Sequence, residues 1–177
     1  TTSASDPFAV LKMMTRVVDG QVAGFVSPPE ITGIGVDFDP VPTQVSEDVG
    51  LIVESSGSTG RPKRIEISLA ALIASANASA KFLGGHGQWL LALPANYIAG
   101  ANVLFRSVVA DTQPVIQNTR VPFSAEGFLN SVSLMRGGKR YTSLVPAQLD
   151  RLAALIDLES QDRGVIAALQ SFDAILI

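Results

Sequence analysis

The sequence predicts an α/β domain with a mostly parallel sheet flanked by helices, on three observations. From Asp48 onward, short apolar runs such as residues 89–93 alternate with segments whose apolar residues recur at helical spacing, such as 98–110. The helical segments open on a capping residue or a proline, as at Ser68 and Pro146, and two of them close on glycine pairs, Gly84-Gly85 and Gly137-Gly138. Finally, 177 residues, 47% hydrophobic and only 16% charged, suffice to bury one real core.

Taken in order, Ser5-Asp6-Pro7 reads as a helix start, and Phe8, Leu11, Met14 and Val18 then recur at helical spacing as far as Gly20. This helix is expected to be peripheral. Residues 24–47 are rich in Pro, Gly, Asp and Val and read as an irregular connector with at most short strands. The chain therefore divides into 1–47, peripheral helix and connector, and 48–177, the α/β core. Within the core, residues 49–54 form a short apolar strand, and Arg64-Ile65-Glu66-Ile67 alternates as a half-exposed strand does. A helix capped by Ser68 runs to Leu83. Strands at 89–93, 114–117, 140–145 and 173–177 then alternate with helices at 98–110, 124–135, 146–156 and about 163–170. Ligands of open α/β sheets bind beyond the carboxyl ends of the strands, and here the last strand reaches the last residue. The core is thus expected to be cut short at its carboxyl end.

Composition narrows the function. A net charge of −3 leaves no basic footprint, which argues against nucleic acid or an anionic membrane surface as partner. The absence of cysteine removes disulfides, thiolate metal sites and thiol nucleophiles together, and fits a cytoplasmic location. No stretch is apolar for long enough to span a bilayer, and no signal-peptide pattern opens the chain, so no membrane anchor is expected. His86 is the one histidine and lies among glycines, where it is expected to be exposed and idle. One histidine and no cysteine leave no zinc site, and no Gly-x-Ser-x-Gly elbow exists to position a serine nucleophile. No metal ligand and no catalytic residue is assigned, and Glu54, Glu66 and Asp173 receive no role.

The run Ser55-Ser56-Gly57-Ser58-Thr59-Gly60-Arg61-Pro62-Lys63 suits a loop that wraps phosphate oxygens. Its glycines let the backbone approach an anion, while the hydroxyls, Arg61 and Lys63 supply donors. It is not the loop of the common NTPases, which needs glycine directly before its lysine, where this chain has Pro62. By residue types alone, a solvated turn between two strands would look the same. The whole string, however, resembles the phosphate loop of the adenylate-forming enzymes, the superfamily of acyl- and aryl-CoA synthetases. Positions 55 to 63 match throughout. Members usually follow the lysine with glycine, and Arg64 departs from that.

A second segment, residues 93–107, is a strand end, a turn and a helix N-terminus, where free amides favour a carboxylate. Taken alone, it allows Asn96 and Tyr97 to satisfy the turn and Arg106 to pair with a surface acid. Its order of Leu-Pro, polar and aromatic pair, Ile-Ala-Gly and Leu-Phe-Arg-Ser resembles the o-succinylbenzoate-CoA ligases, and this resemblance implies substrate contacts from Asn96, Tyr97, Gly100 and Arg106. Relatives commonly carry a histidine near positions 96 and 97, which this chain lacks. Residues 141–149 resemble the strand-to-helix passage before the family's adenine loop, or equally an ordinary strand and helix.

The resemblance spans roughly 48–177 and implies part of the large N-terminal domain of an AMP-forming acid–thiol ligase. A carboxylate, o-succinylbenzoate by the resemblance, would be adenylated with ATP and then passed to coenzyme A, with Mg²⁺ expected in the full enzyme. The adenine loop, the Mg²⁺-associated glutamate, the ribose-binding aspartate and the small domain with its lysine are not found here. These 177 residues alone are therefore expected to be incompetent. Another aryl- or acyl-CoA ligase is one alternative, a non-catalytic phosphate-binding or assembly module another, and a homodimer is left open.

Overall fold

The computed structural model describes residues 1–28, 44–55, 63–156 and 162–177. Asp6 caps the first helix, α1 (Pro7–Val18), by accepting from the Ala9 amide at 3.0 Å, and Pro7 supplies a first-turn residue that needs no amide partner. Strands β1 (Thr2–Ser3) and β2 (Gly24–Ser27) flank it. β3 (Val49–Ser55) and β4 (Lys63–Ser68) follow, then α2 (Leu69–Phe82), whose first turn is closed by Ser68 accepting from Ala71 N. That helix stops at Gly84 and Gly85, whose φ values of 75° and 140° fall where side chains are disfavoured.

The second half alternates β5 (Gln88–Leu91), α3 (Ile98–Val109), β6 (Val115–Ile116), α4 (Ala125–Ser133), β7 (Arg140–Ser143), α5 (Pro146–Ile156), α6 (Asp162–Gln170) and β8 (Ala174–Leu176). Observed strands are shorter than the apolar runs suggest. Ala92, Leu93 and Ala95 are buried beyond the end of β5, because hydropathy reports burial and not strand pairing.

The expected single sheet is two four-stranded sheets. In the first, ordered β1-β2-β3-β4, β1, β2 and β3 are parallel and β3–β4 is the antiparallel pair; the second, ordered β6-β5-β7-β8, is parallel throughout. Mostly parallel pairing therefore holds. β5 lies centrally and is buried on both faces, as strands of parallel sheets are. Trp89 and Leu91 point into a core shared with α1, α2, α3 and the first sheet, whereas Leu90 and Ala92 point into a second core with α4, α5 and α6. Trp89 also packs on Tyr141, its register neighbour on β7, with ring centroids 5.1 Å apart.

The first helix is integral, contrary to the peripheral position its place before the connector suggests. Val10, Met14 and Val17 are fully buried and belong to the same cluster as Leu91 and Leu104, so the division near Asp48 does not mark off a separately packed part. An apolar stripe on a twelve-residue helix must be covered, and α3 covers it.

Candidate functional site

The phosphate-loop motif sits on a hairpin. β3 and β4 pair in the register Val53↔Ile65, Glu54↔Arg64 and Ser55↔Lys63, so the first and last residues of the nine-residue string stand opposite one another. Lys63 is exposed. Ser56, Gly57, Ser58, Thr59, Gly60, Arg61 and Pro62 lie outside the described residues.

Beneath these strand ends is a feature the sequence reading passed over. Glu54 is only 6% exposed, and its Oε1 accepts from Arg64 Nε at 3.4 Å. The Arg64 guanidinium also lies over the Phe25 ring, 5.1 Å from its centroid. Glu54 Oε2 is buried with no hydrogen-bond partner. The signal was present in the sequence: Glu54 and Arg64 are equidistant from the loop ends, so a hairpin pairing Ser55 with Lys63 pairs them too.

The second segment leaves the carboxyl end of β5. Tyr97 N donates to Pro94 O at 3.3 Å, closing the turn, and Tyr97 is the N-cap residue of α3 without a side-chain cap bond. Gly100 is required by contact: a Cβ there would stand 2.3 Å from Pro94 O. Asn96 is buried and its Oδ1 has no partner, while Tyr97 is half exposed. These three residues are gathered around one turn.

Arg106 is not with them. Nine residues along α3 is about 13 Å of rise, and the helix returns toward the amino end of β5. There the guanidinium lies over Trp89, 5.1 Å from the ring centroid, and edges a small cavity with His86 and Tyr141. Burial lowers its pKa from the ordinary arginine value, and Nε has no hydrogen-bond partner. Neither the expected substrate contact beside Asn96 nor a surface ion pair describes this position. His86 itself is exposed.

Two glutamines that the sequence reading did not single out stand at the carboxyl ends of the second sheet. Gln148 Nε2 donates to Ala92 O at 2.8 Å, and its Oε1 accepts from Val145 N at 3.1 Å. Gln117 follows β6, is 6% exposed, and carries an unpartnered Oε1. Together with Ala92, Pro94, Asn118 and Phe123 they line a cavity of about 100 Å³. It occupies the crevice where open α/β sheets bind ligands. Glutamines after short strands have no distinguishing pattern, so only the topology reveals them.

No protein-family model matches the chain. A protein named probable 2-succinylbenzoate–CoA ligase from Mycobacterium tuberculosis is 39% identical over 168 residues, 95% of this chain and 42% of the relative. The 2-succinylbenzoate–CoA ligase of Bacillus licheniformis is 37% identical over 113 residues, 63% of this chain and 23% of the relative. Among solved structures, o-succinylbenzoate coenzyme A synthetase from Bacillus subtilis in complex with AMP superposes with a TM-score of 0.56 over 93% of this chain and 45% of that chain. At 21% identity that match establishes the shared fold. In fold and in sequence the chain is similar to the adenylate-forming enzymes. Among these, it is similar to the 2-succinylbenzoate–CoA ligases, the group to which both curated relatives belong. It spans about two fifths of the length of the Mycobacterium tuberculosis relative.

Proposed function

We propose that the chain is the part of an AMP-forming o-succinylbenzoate–CoA ligase that holds the nucleotide phosphates and one wall of the carboxylate pocket. The observation that carries this reading is the loop sequence 55–63 set between paired strand ends, on a chain 39% identical to a protein named for that activity. In the full reaction the substrate carboxylate attacks the α-phosphate of ATP, pyrophosphate leaves, and the thiol of coenzyme A then displaces AMP. The residues here act by positioning and charge. Lys63 neutralises phosphate charge, and the Ser56, Ser58 and Thr59 hydroxyls donate to phosphate oxygens. Asn96 and Tyr97, at the amino end of α3, face the carboxylate substrate, where the helix dipole favours a negative charge.

The strand ends of the hairpin suit a loop that holds a triphosphate. Ser55 and Lys63 stand opposite each other where a phosphate loop must begin and end. Among the described residues no group of three or more acidic or histidine side chains could hold Mg²⁺. Mg²⁺ takes one or two carboxylates together with phosphate oxygens, and it would be expected with the nucleotide in the full enzyme. A cytoplasmic setting belongs to the same reading. Among the described residues, no helix is long and apolar enough to cross a membrane.

Titration calorimetry of the chain with pyrophosphate and with MgATP tests the loop assignment. Saturable binding that Lys63→Ala weakens supports it; no binding, or binding indifferent to Lys63, overturns it. ATP–pyrophosphate exchange with o-succinylbenzoate by these 177 residues alone should be absent, and robust exchange would overturn their expected incompetence.

A further inference from the structure

We infer that Glu54 and Arg64 form a clamp that fixes the separation of Ser55 and Lys63, making the pair positioning residues for the phosphate loop. This rests on the phosphate reading of 55–63 for its functional consequence, but the clamp itself stands on geometry. The two side chains are cross-strand partners in the last pair before the loop termini. Their hydrogen bond of 3.4 Å is shielded, since Glu54 is 6% and Arg64 20% exposed. Arg64 is further held by Phe25 on β2, which ties the hairpin to a third strand. A charge pair set across a hairpin resists fraying of the ends, and shielding from water strengthens it.

Among the described residues Glu54 Oε2 has no hydrogen-bond partner, which is what the arrangement costs. Burying a carboxylate with one oxygen unsatisfied opposes folding, so stability alone does not account for it. The gain falls at the loop. A lysine that must meet phosphate within a few tenths of an ångström loses affinity if its strand end frays. Where the resembling enzymes usually place a glycine, this chain places the clamp's cation.

The test uses the 177-residue chain with Arg64→Gln, Arg64→Lys, Glu54→Gln and Lys63→Ala. Amide hydrogen exchange at residues 53–55 and 63–65 reads the clamp, and pyrophosphate affinity by calorimetry reads its consequence. Arg64→Gln is expected to speed exchange there by about threefold to tenfold, and to weaken pyrophosphate by a similar factor. Glu54→Gln should follow it, and Arg64→Lys should recover part of both. Lys63→Ala should weaken pyrophosphate by a larger factor than it changes exchange. Unchanged exchange in both Arg64→Gln and Glu54→Gln overturns the clamp, and faster exchange with undiminished pyrophosphate affinity overturns its positioning role. If the wild-type chain binds no pyrophosphate, the phosphate reading and the positioning role fail together, and exchange alone decides the clamp.

Discussion

The hairpin around residues 55–63 and the β5–α3 segment around residues 93–107 both carry motifs, yet the structure treats their residues differently. On the hairpin, the string begins and ends on one cross-strand pair, so its termini are neighbours in space as in sequence. On the β5–α3 segment, a longer string runs into a helix and is dealt out along it. Asn96, Tyr97 and Gly100 remain at the carboxyl end of β5, while Arg106 is carried back to Trp89 at the amino end. A motif bounded by a cross-strand pair begins and ends in one place, whereas one that enters a helix is sorted by the 1.5 Å rise per residue.

The sharpest way to break this comparison is at Gly100, the contact that holds the second motif's surviving residues together. Gly100→Ala forces a Cβ to within 2.3 Å of Pro94 O, and backbone has no rotamer to escape into. We expect a loss of about 3 kcal/mol, read by urea unfolding, with the turn at 94–97 displaced. A variant as stable as wild type would show that the turn yields freely and that Asn96 and Tyr97 are not fixed. On the hairpin the matching change has the opposite signature. Lys63→Ala changes an exposed position, so stability should move far less than for Gly100→Ala. Pyrophosphate affinity should nevertheless fall about tenfold, or about 1.4 kcal/mol.

Arg106 sharpens the distinction further. Its separation from Asn96 predicts that Arg106→Ala leaves carboxylate and pyrophosphate binding unaltered. The lost stacking on Trp89 should cost about 1 kcal/mol in thermal unfolding, partly offset by release of a guanidinium whose Nε has no partner. If the variant instead loses substrate affinity while its unfolding is unchanged, the two ends of β5 communicate and the sorting of the motif fails.

Much of this architecture was legible because each local signal had one physical meaning. Asp6, Ser68 and Ser124 each accept from an amide three residues ahead, and the helices begin where those residues said they would. The strand order was not legible, since β5 lying between β6 and β7 depends on contacts between segments distant in sequence. The burial of α1 was hidden for the same reason: its apolar stripe was visible, but its cover, α3, starts some eighty residues later. In the candidate site, the run 55–63 could be singled out because its pattern resides in consecutive residues. Gln117 and Gln148 could not, because only the end of the parallel sheet brings them together. Asp173 falls between these cases. It received no role in the sequence, and the structure uses it structurally, its carboxylate accepting from Arg140 N at 2.9 Å where β7 and β8 begin.

The smallest expected effect bears on why a tyrosine occupies position 97. A helix N-cap favours Ser, Thr, Asp or Asn, whose side chains satisfy an amide of the first turn. Tyr97 holds the cap with extended backbone, φ −89° and ψ 145°, makes no cap bond, and leaves 48% of its surface to solvent. It contributes neither capping nor full burial, so Tyr97→Ser should stabilise α3 by about 0.5 kcal/mol, seen as a modest rise in melting temperature. A half-exposed ring that forgoes a cap bond beside a buried Asn96 Oδ1 without a partner among the described residues suits a binding position. The serine variant should therefore bind the carboxylate substrate more weakly while unfolding at a higher temperature. A lower melting temperature would instead assign the ring to packing, leaving Asn96 as the only residue of the turn facing substrate.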